Sequence, residues 1–458
     1  MNQETNVQEK EARVRQPWTA QRVGDILLNN ALLIIMAIAV VYIAIKNPNF
    51  IKPASLINIL SQTAAYLPAA LGIGGCIVLT GTDLSAGRAV GITACISASL
   101  LQNAANMANK MWPQIGTLPI FVVIVLAMLI GAAIGCFNGF FVAKFKLHPF
   151  IVTLGTQLIL YTALLLYVQQ GNNKGMAISN LDPSYTGFVK GSLFSIGGTP
   201  IPNYVLFAIV LTAVMWFVWN KTTFGKNMFA LGSNEEAARV SGVNVFGVTV
   251  GVFALAGAMY GFTGFIEGAR IGSNTANTGL NYELDAIAAC VIGGVSFVGG
   301  IGKIRGIVIG VVMLRLIFVG LTMVGVPQDL QYLIKGAIIL FACALDMRKY
   351  LVKKRSATKM ARLCEPSLLY LELFAAKRRQ KPPFFLQSSQ FTFGLPLELE
   401  KHGHTVSLRF TSWYNSRKRG CYRIAAFPSG KAGGPGGGGA VDKKEGRSHG
   451  TVPGAVGR

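Results

Sequence analysis

Apolar positions in this chain neither alternate nor recur on one helical face. They run on for roughly the length of a lipid crossing and then give way to short polar connections. A hydrocarbon core about 30 Å thick takes about 20 apolar residues as a helix. Runs of that kind lie near 29–45, 57–79, 88–103, 117–143, 149–168, 203–219, 246–266, 283–299, 304–321 and 330–346. The pattern predicts an all-α polytopic membrane protein of about ten transmembrane helices, since in lipid each backbone N–H and C=O must be bonded within its own segment. The third run is short and contains glycine. Residues 1–28 are polar, and the run after them is too long for the apolar part of a cleavable signal, so it is expected to stay as a span.

Composition agrees: of 458 residues 52% are apolar and only 13% charged, whereas soluble domains carry about 25% charged residues. Seven cysteines without a CxxC pair exclude a disulfide scaffold, and Cys76, Cys95, Cys136, Cys290 and Cys343 read as small hydrophobes. The basic residues supply an orientation. Lys10, Arg13, Arg15 and Arg22 precede the first run, which places the N-terminus in the cytoplasm. Counting onward, Lys144 and Lys146, then Lys221, Lys226 and Arg239, then Lys303 and Arg305, then Arg348 to Arg355 fall on the same side, as does the C-terminus. Gly131, Gly135 and Gly139, with Gly257/Gly261 and Gly264/Gly268, form GxxxG pairs that let helix backbones approach closely, within one chain or at an oligomer seam.

Polar residues that interrupt the apolar runs are the candidates for function, because a charge at mid-membrane costs about 2.5–3.5 kcal/mol even on the lenient insertion scale. Asp83, Ser85 and Arg88 lie between two runs, and Asp83 with Arg88 reads either as a pathway element or as an ion pair at the cytoplasmic boundary. Glu267 and Arg270 end the seventh run, and Tyr282, Glu283 and Asp285 open the eighth. The topology puts these at the outer mouth, as a gate, a contact for a partner, or plainly solvated interfacial groups. No catalytic grouping is found. His148 stands alone beside Pro149 at a run entry, which gives no metal site.

The connection 220–245 is the most distinctive segment. Ser233 followed by Glu236 reads as a capping box opening a helix of about two turns, with Glu235 and Glu236 at its positive end and Gly242 as its stop. Ala237, Ala238, Ser241 and Gly242 would share a face of small residues. So short a helix needs something to dock on, either its own membrane unit or another protein. The stretch Phe224–Val243 (Phe-Gly-Lys-Asn-Met-Phe-Ala-Leu-Gly-Ser-Asn-Glu-Glu-Ala-Ala-Arg-Val-Ser-Gly-Val) resembles the coupling loop of importers of the ATP-binding-cassette class. Gly81–Arg88 (Gly-Thr-Asp-Leu-Ser-Ala-Gly-Arg) and the stretch Tyr282–Gly302 are similar to motifs of the permease family of ribose, galactose and branched-chain amino-acid importers, and the resemblance runs from about Ala31 to Lys354.

The resemblance implies an ATPase-coupling loop at Gly225, Asn234, Glu235, Glu236, Ala237, Ala238, Arg239, Ser241 and Gly242, while the polar interruptions themselves make Asp83, Ser85, Arg88, Glu267, Arg270, Tyr282, Glu283 and Asp285 the candidates for a translocation pathway or gate. It implies a homodimer of permease subunits in a bacterial inner membrane, a separate ATPase subunit that holds ATP and Mg, and a periplasmic sugar-binding protein. The expected cargo is galactose or a methyl galactoside, with ribose or another monosaccharide as the alternative and an ATP-independent secondary transporter as a further one. No cofactor is expected on this chain: a P-loop needs GxxxxGK and then Ser or Thr, and Gly225-Lys226, Gly302-Lys303 and Gly430-Lys431 are followed by Asn227, Ile304 and Ala432. No enzymatic activity is expected either.

These expectations divide the chain into a cytoplasmic segment 1–28, a permease domain 29–354 and a tail 355–458. Residues 1–355 hold 25 basic and 13 acidic side chains, while 356–458 hold 17 and 6. The tail has basic clusters (Lys377–Arg379, Arg417–Arg419), a glycine run at 433–440 and no periodicity able to bury a core, so it is expected to be disordered. A frameshift or read-through extension and an anionic-lipid-binding segment are both open; nucleic-acid binding is not expected, for want of a folded module.

Overall fold

The computed structural model describes residues 31–103 and 110–348 and, beyond them, three short strands. The polar segment 1–28 lies outside the described residues. The membrane unit begins with α1 (Ala31–Lys46), a 3-10 turn (Pro48–Ile51), α2 (Pro53–Val78) and α3 (Ala86–Leu100). There follow α4 (Ile120–Phe145), α5 (Pro149–Val168), a short helix α6 (Pro183–Lys190) and a hairpin of β1 (Ser192–Ile196) and β2 (Thr199–Pro202). Next come α7 (Asn203–Lys221), two short helices α8 (Thr223–Ser233) and α9 (Glu235–Val240), and then α10 (Val245–Ile271), α11 (Tyr282–Ile292), α12 (Ile304–Met323) and α13 (Gln328–Arg348).

Seven of these, α2, α4, α5, α7, α10, α12 and α13, are long and apolar enough to cross a membrane. The expected spans near 88–103 and 283–299 are helices of 15 and 11 residues. The reason is local. α3 stops at Leu100, where Leu101 caps it with its N–H on the Ser97 carbonyl, and α11 stops at Gly293 and Gly294, the latter at φ +80°. Polar and glycine-rich backbone is thereby left at helix breaks, which is tolerated at membrane depth only where protein encloses it. His148, the lone histidine of the membrane part, accepts the N–H of Phe150 as the N-cap of α5, a structural role.

Helices α2 and α10 form the centre. The window buried within the protein is largest for these two, whereas α4, α5 and α7 turn large apolar side chains such as Phe121, Leu158 and Phe217 outward. The glycine spacing explains the central packing. A Cβ at Gly131 of α4 would lie 2.1 Å from the Gly257 carbonyl oxygen of α10, and one at Gly257 would lie 2.0 Å from that of Gly131. Gly135 meets the Phe253 carbonyl and Gly261 that of Ala127 equally closely. The two backbones touch, and Gly264 brings α3 to the same helix at Val90 and Thr93. The GxxxG pairs thus serve packing within the chain.

Residues 364–458 form a separate unit. What is described there is an antiparallel sheet in the order β3 (Thr392–Leu395), β4 (Leu408–Thr411) and β5 (Ala425–Ala426). The remaining tail residues lie outside the described ones, and so does most of the expected disorder.

Substituting Gly257→Leu is expected to destabilise the protein by about 3 kcal/mol or more, because the obstructing atoms are backbone and have no rotamer to move to. Gly155→Ala, where a Cβ meets nothing within 4 Å, is expected to leave stability within about 0.5 kcal/mol. Thermal unfolding of the detergent-extracted protein checks both.

Candidate functional site

The connection between α7 and α10 is built by three caps. Thr222 accepts the N–H of Gly225 at 3.2 Å and starts α8. Gly225 is needed there, since a Cβ would lie 2.4 Å from the carbonyls of Val218 and Trp219. One residue, Asn234, separates α8 from α9, and its Oδ1 accepts the N–H of Ala237 at 3.0 Å. The expected capping box of Ser233 and Glu236 is therefore corrected: Ser233 is the last residue of α8 and its hydroxyl donates back to the Phe229 carbonyl. At the other end Gly242, at φ +83°, donates to Arg239, and Val243 donates to Ala238, the paired bonds of a Schellman stop.

The resulting helix has six residues. Glu235 and Arg239 pair along it at 2.6 Å, about half exposed, which adds little stability. Of the expected small face only Ala238 is seated on the rest of the protein; Ala237, Ser241 and Gly242 are exposed, together with Glu236, and Val240 is 89% exposed.

The membrane candidates form two groups. Around the break between α2 and α3, Asp83 is fully buried and accepts the hydroxyl and the N–H of Ser85 at 2.6 and 3.0 Å. Asn138 of α4 donates to Ser85, and Thr156 of α5 donates to Asn138, so one chain of hydrogen bonds ties three elements. The expected Asp83–Arg88 pair is not formed: Arg88 donates to the Ala276 carbonyl at 3.1 Å and lies over the ring of Tyr161 at 4.3 Å. The carboxylate of Glu283 instead approaches the start of α3, 1.9 Å from where a Cβ of Gly87 would be.

The second group surrounds Tyr66 of α2. Tyr66 and Tyr282 stack with ring centroids 4.1 Å apart, and the Arg315 guanidinium covers the Tyr66 ring at 3.6 Å. Arg315 of α12 donates to Asp285 at 2.5 Å, and Lys335 of α13 pairs with the same carboxylate. Nearby on α10, Arg270 binds Glu267 through two bonds of 2.6 and 2.8 Å, with Glu267 fully buried. Asp285 thus joins three helices through two cations, an arrangement that compensates the desolvation of each charge. Among the described residues no three His, Cys, Asp or Glu side chains converge to hold a metal ion.

Tyr66, Asn138, Thr156, Arg315 and Lys335 were not among the sequence candidates. Arg315 and Lys335 carry a legible signal, one basic residue inside an otherwise apolar run. Tyr66 and the hydroxyls carry none, because such residues are common in lipid-facing helices.

Comparison with known proteins comes to the same kind of molecule. The family model described as branched-chain amino acid transport system / permease component matches residues 55–343. The galactose/methyl galactoside import permease protein of Escherichia coli is 45% identical over 72% of this chain and 96% of its own length, and that of Haemophilus influenzae is 44% identical over 72% and 97%. The ribose import permease protein of Escherichia coli is 33% identical over 70% and 95%. No solved structure matches. The chain belongs to this permease family and is a multi-pass membrane protein.

Asp285→Asn is expected to cost about 3–5 kcal/mol, since Arg315 and Lys335 are left buried without their acid. Lys335→Met, which keeps the Arg315–Asp285 bond, is expected to cost less than a third of that. Thermal unfolding of the two variants in one detergent, with the double variant closing the cycle, measures the coupling.

Proposed function

We propose that this chain is the membrane-spanning subunit of an ATP-driven importer of galactose or a methyl galactoside. It works as a pair of permease subunits in a bacterial inner membrane, with both termini in the cytoplasm. A separate ATPase subunit holds ATP and Mg on the inner side, and a periplasmic sugar-binding protein delivers cargo from outside. Membership of the permease family supports the transport role, and 45% identity to a galactose permease against 33% to a ribose permease favours the hexose.

The observation that carries the coupling is α9. It is capped at both ends, buries Ala238 and turns Val240 and Glu236 outward. A six-residue helix cannot persist without tertiary support, and its caps make it a stiff knob on an otherwise short connection. In the proposed cycle, ATP-driven closure of the ATPase pair displaces this knob, and the membrane helices exchange outward- and inward-open states.

The stacked Tyr66 and Tyr282, held by Arg315 and Asp285 and flanked by Glu267 and Arg270, form a gate that opens as α11 moves against α2. A neutral sugar has hydroxyls and apolar ring faces but no charge to neutralise. Aromatic faces and the Ser85, Asn138 and Thr156 hydrogen-bond chain suit it better than a charged cage. The acids and bases of the gate serve to hold helices, with Arg88 and Glu283 lining the break above α3. High affinity then resides in the binding protein, which lets the permease release cargo on the inner side.

In proteoliposomes holding the complete complex, Gly242→Val and Glu236→Lys are expected to leave insertion and ATP hydrolysis in place while uptake per ATP falls by about tenfold. Labelled galactose uptake is expected to be displaced by methyl galactoside and not by ribose. Normal uptake in both variants contradicts α9 as the coupling element, and displacement by ribose alone reassigns the cargo.

A further inference from the structure

At the end of α8 the coupling loop meets the end of α2 and the loop before α12, and the closest contact there is backbone on backbone. Val78 is the last residue of α2. Its carbonyl accepts the N–H of Gly300 at 2.9 Å, in the loop that joins α11 to α12. Gly232, near the end of α8, lies on the same carbonyl: a Cβ there would be 1.8 Å from the Val78 oxygen and 2.9 Å from the Gly300 nitrogen. Gly299 closes the triangle, its absent Cβ 2.4 Å from the Gly232 carbonyl. Gly299 and Gly300 both hold left-handed backbone, at φ +88° and +67°, so the loop can take this shape only with residues free of a Cβ penalty.

The loop is also fastened from the far side. Asp346 of α13 accepts the Ser296 hydroxyl at 2.9 Å and the Phe297 N–H at 3.1 Å. One element at the junction therefore continues into α2, which carries Tyr66. Another follows directly on α11, which carries Tyr282 and Asp285, and α13 carries Lys335. Side-chain contacts can absorb a displacement by changing rotamer, whereas three touching backbones at interior packing density pass it on. Gly232 is separated from α9 only by Ser233 and Asn234.

We propose that Gly232 is the positioning residue through which displacement of α9 reaches both sides of the gate, by way of the Val78–Gly300 contact. The inference rests on the coupling role given above to α9, and its test separates the two. Any side chain at Gly232 must push the end of α2 away from α8, so that α9 still moves but the gate helices no longer follow. Loss of Asp346 frees the 296–297 loop from α13 and loosens the same route without entering the close contact.

The test uses the complete complex of the full chain with its ATPase and binding-protein partners in proteoliposomes. Uptake of labelled galactose and phosphate release are measured together for Gly232→Ala, Asp346→Ala and, as reference, Gly242→Val. The expected result is that both junction variants bind the ATPase and sustain hydrolysis, while uptake per ATP falls about tenfold in Gly232→Ala and about threefold in Asp346→Ala, within the range of substitutions along a coupling network. Should Gly232→Ala fail to insert, Asp346→Ala decides alone. Unchanged uptake per ATP in the junction variants, with a fall in Gly242→Val, overturns the junction and keeps the coupling loop. Unchanged uptake in all three overturns both. Loss of ATPase binding in Gly232→Ala makes the residue a docking element and also overturns the inference.

Discussion

Within lipid, apolar side chains gain little by leaving the bilayer for one another, so helices are held by contacts that lipid cannot replace. In this protein the closest of those contacts are between bare backbones. Gly131 and Gly257 exclude everything but each other's carbonyls, and the same closeness recurs where α10 meets α3 at Gly264 and where α8 meets α2 at Gly232. A rigid centre follows, with α10 and α2 inside and the outward faces of α4, α5 and α7 left to lipid. The broken helices α3 and α11 are enclosed by that centre, which is the condition for irregular backbone at membrane depth.

Charge is arranged by the same constraint. Asp285 takes two cations, Glu267 takes Arg270 through two bonds, and Asp83 is met by Ser85 through both hydroxyl and amide. Each of these acids sits at a helix end or break, and none sits in the middle of a lipid-facing run. Such groups couple helix position to local electrostatics. The charges thereby bind the protein to itself.

The connection between α7 and α10 completes the chain of cause. The caps of Asn234 and Gly242 stiffen a helix that touches its own protein at Ala238, while Gly232 presses the preceding helix on the end of α2. A stiff exposed element and a backbone junction thus follow one another directly in the chain. The exposed face of α9 is small or polar apart from Val240.

Residue order alone shows that the chain spans a membrane many times, that its glycines bring helices together, and that residues 220–245 resemble the loop of one transporter family. Hydropathy, residue size and motif are properties of the chain in order, and so they could be read in order. The folded chain is needed to see that Asp83 pairs with Ser85 and not Arg88, that Asn234 and not Ser233 caps α9, and that two expected spans, near 88–103 and 283–299, are the short helices α3 and α11. The physical reason is common to all three. Which polar group satisfies which, and where a helix may stop inside a bilayer, depends on neighbours distant in the chain, as Arg315 and Lys335 are from Asp285.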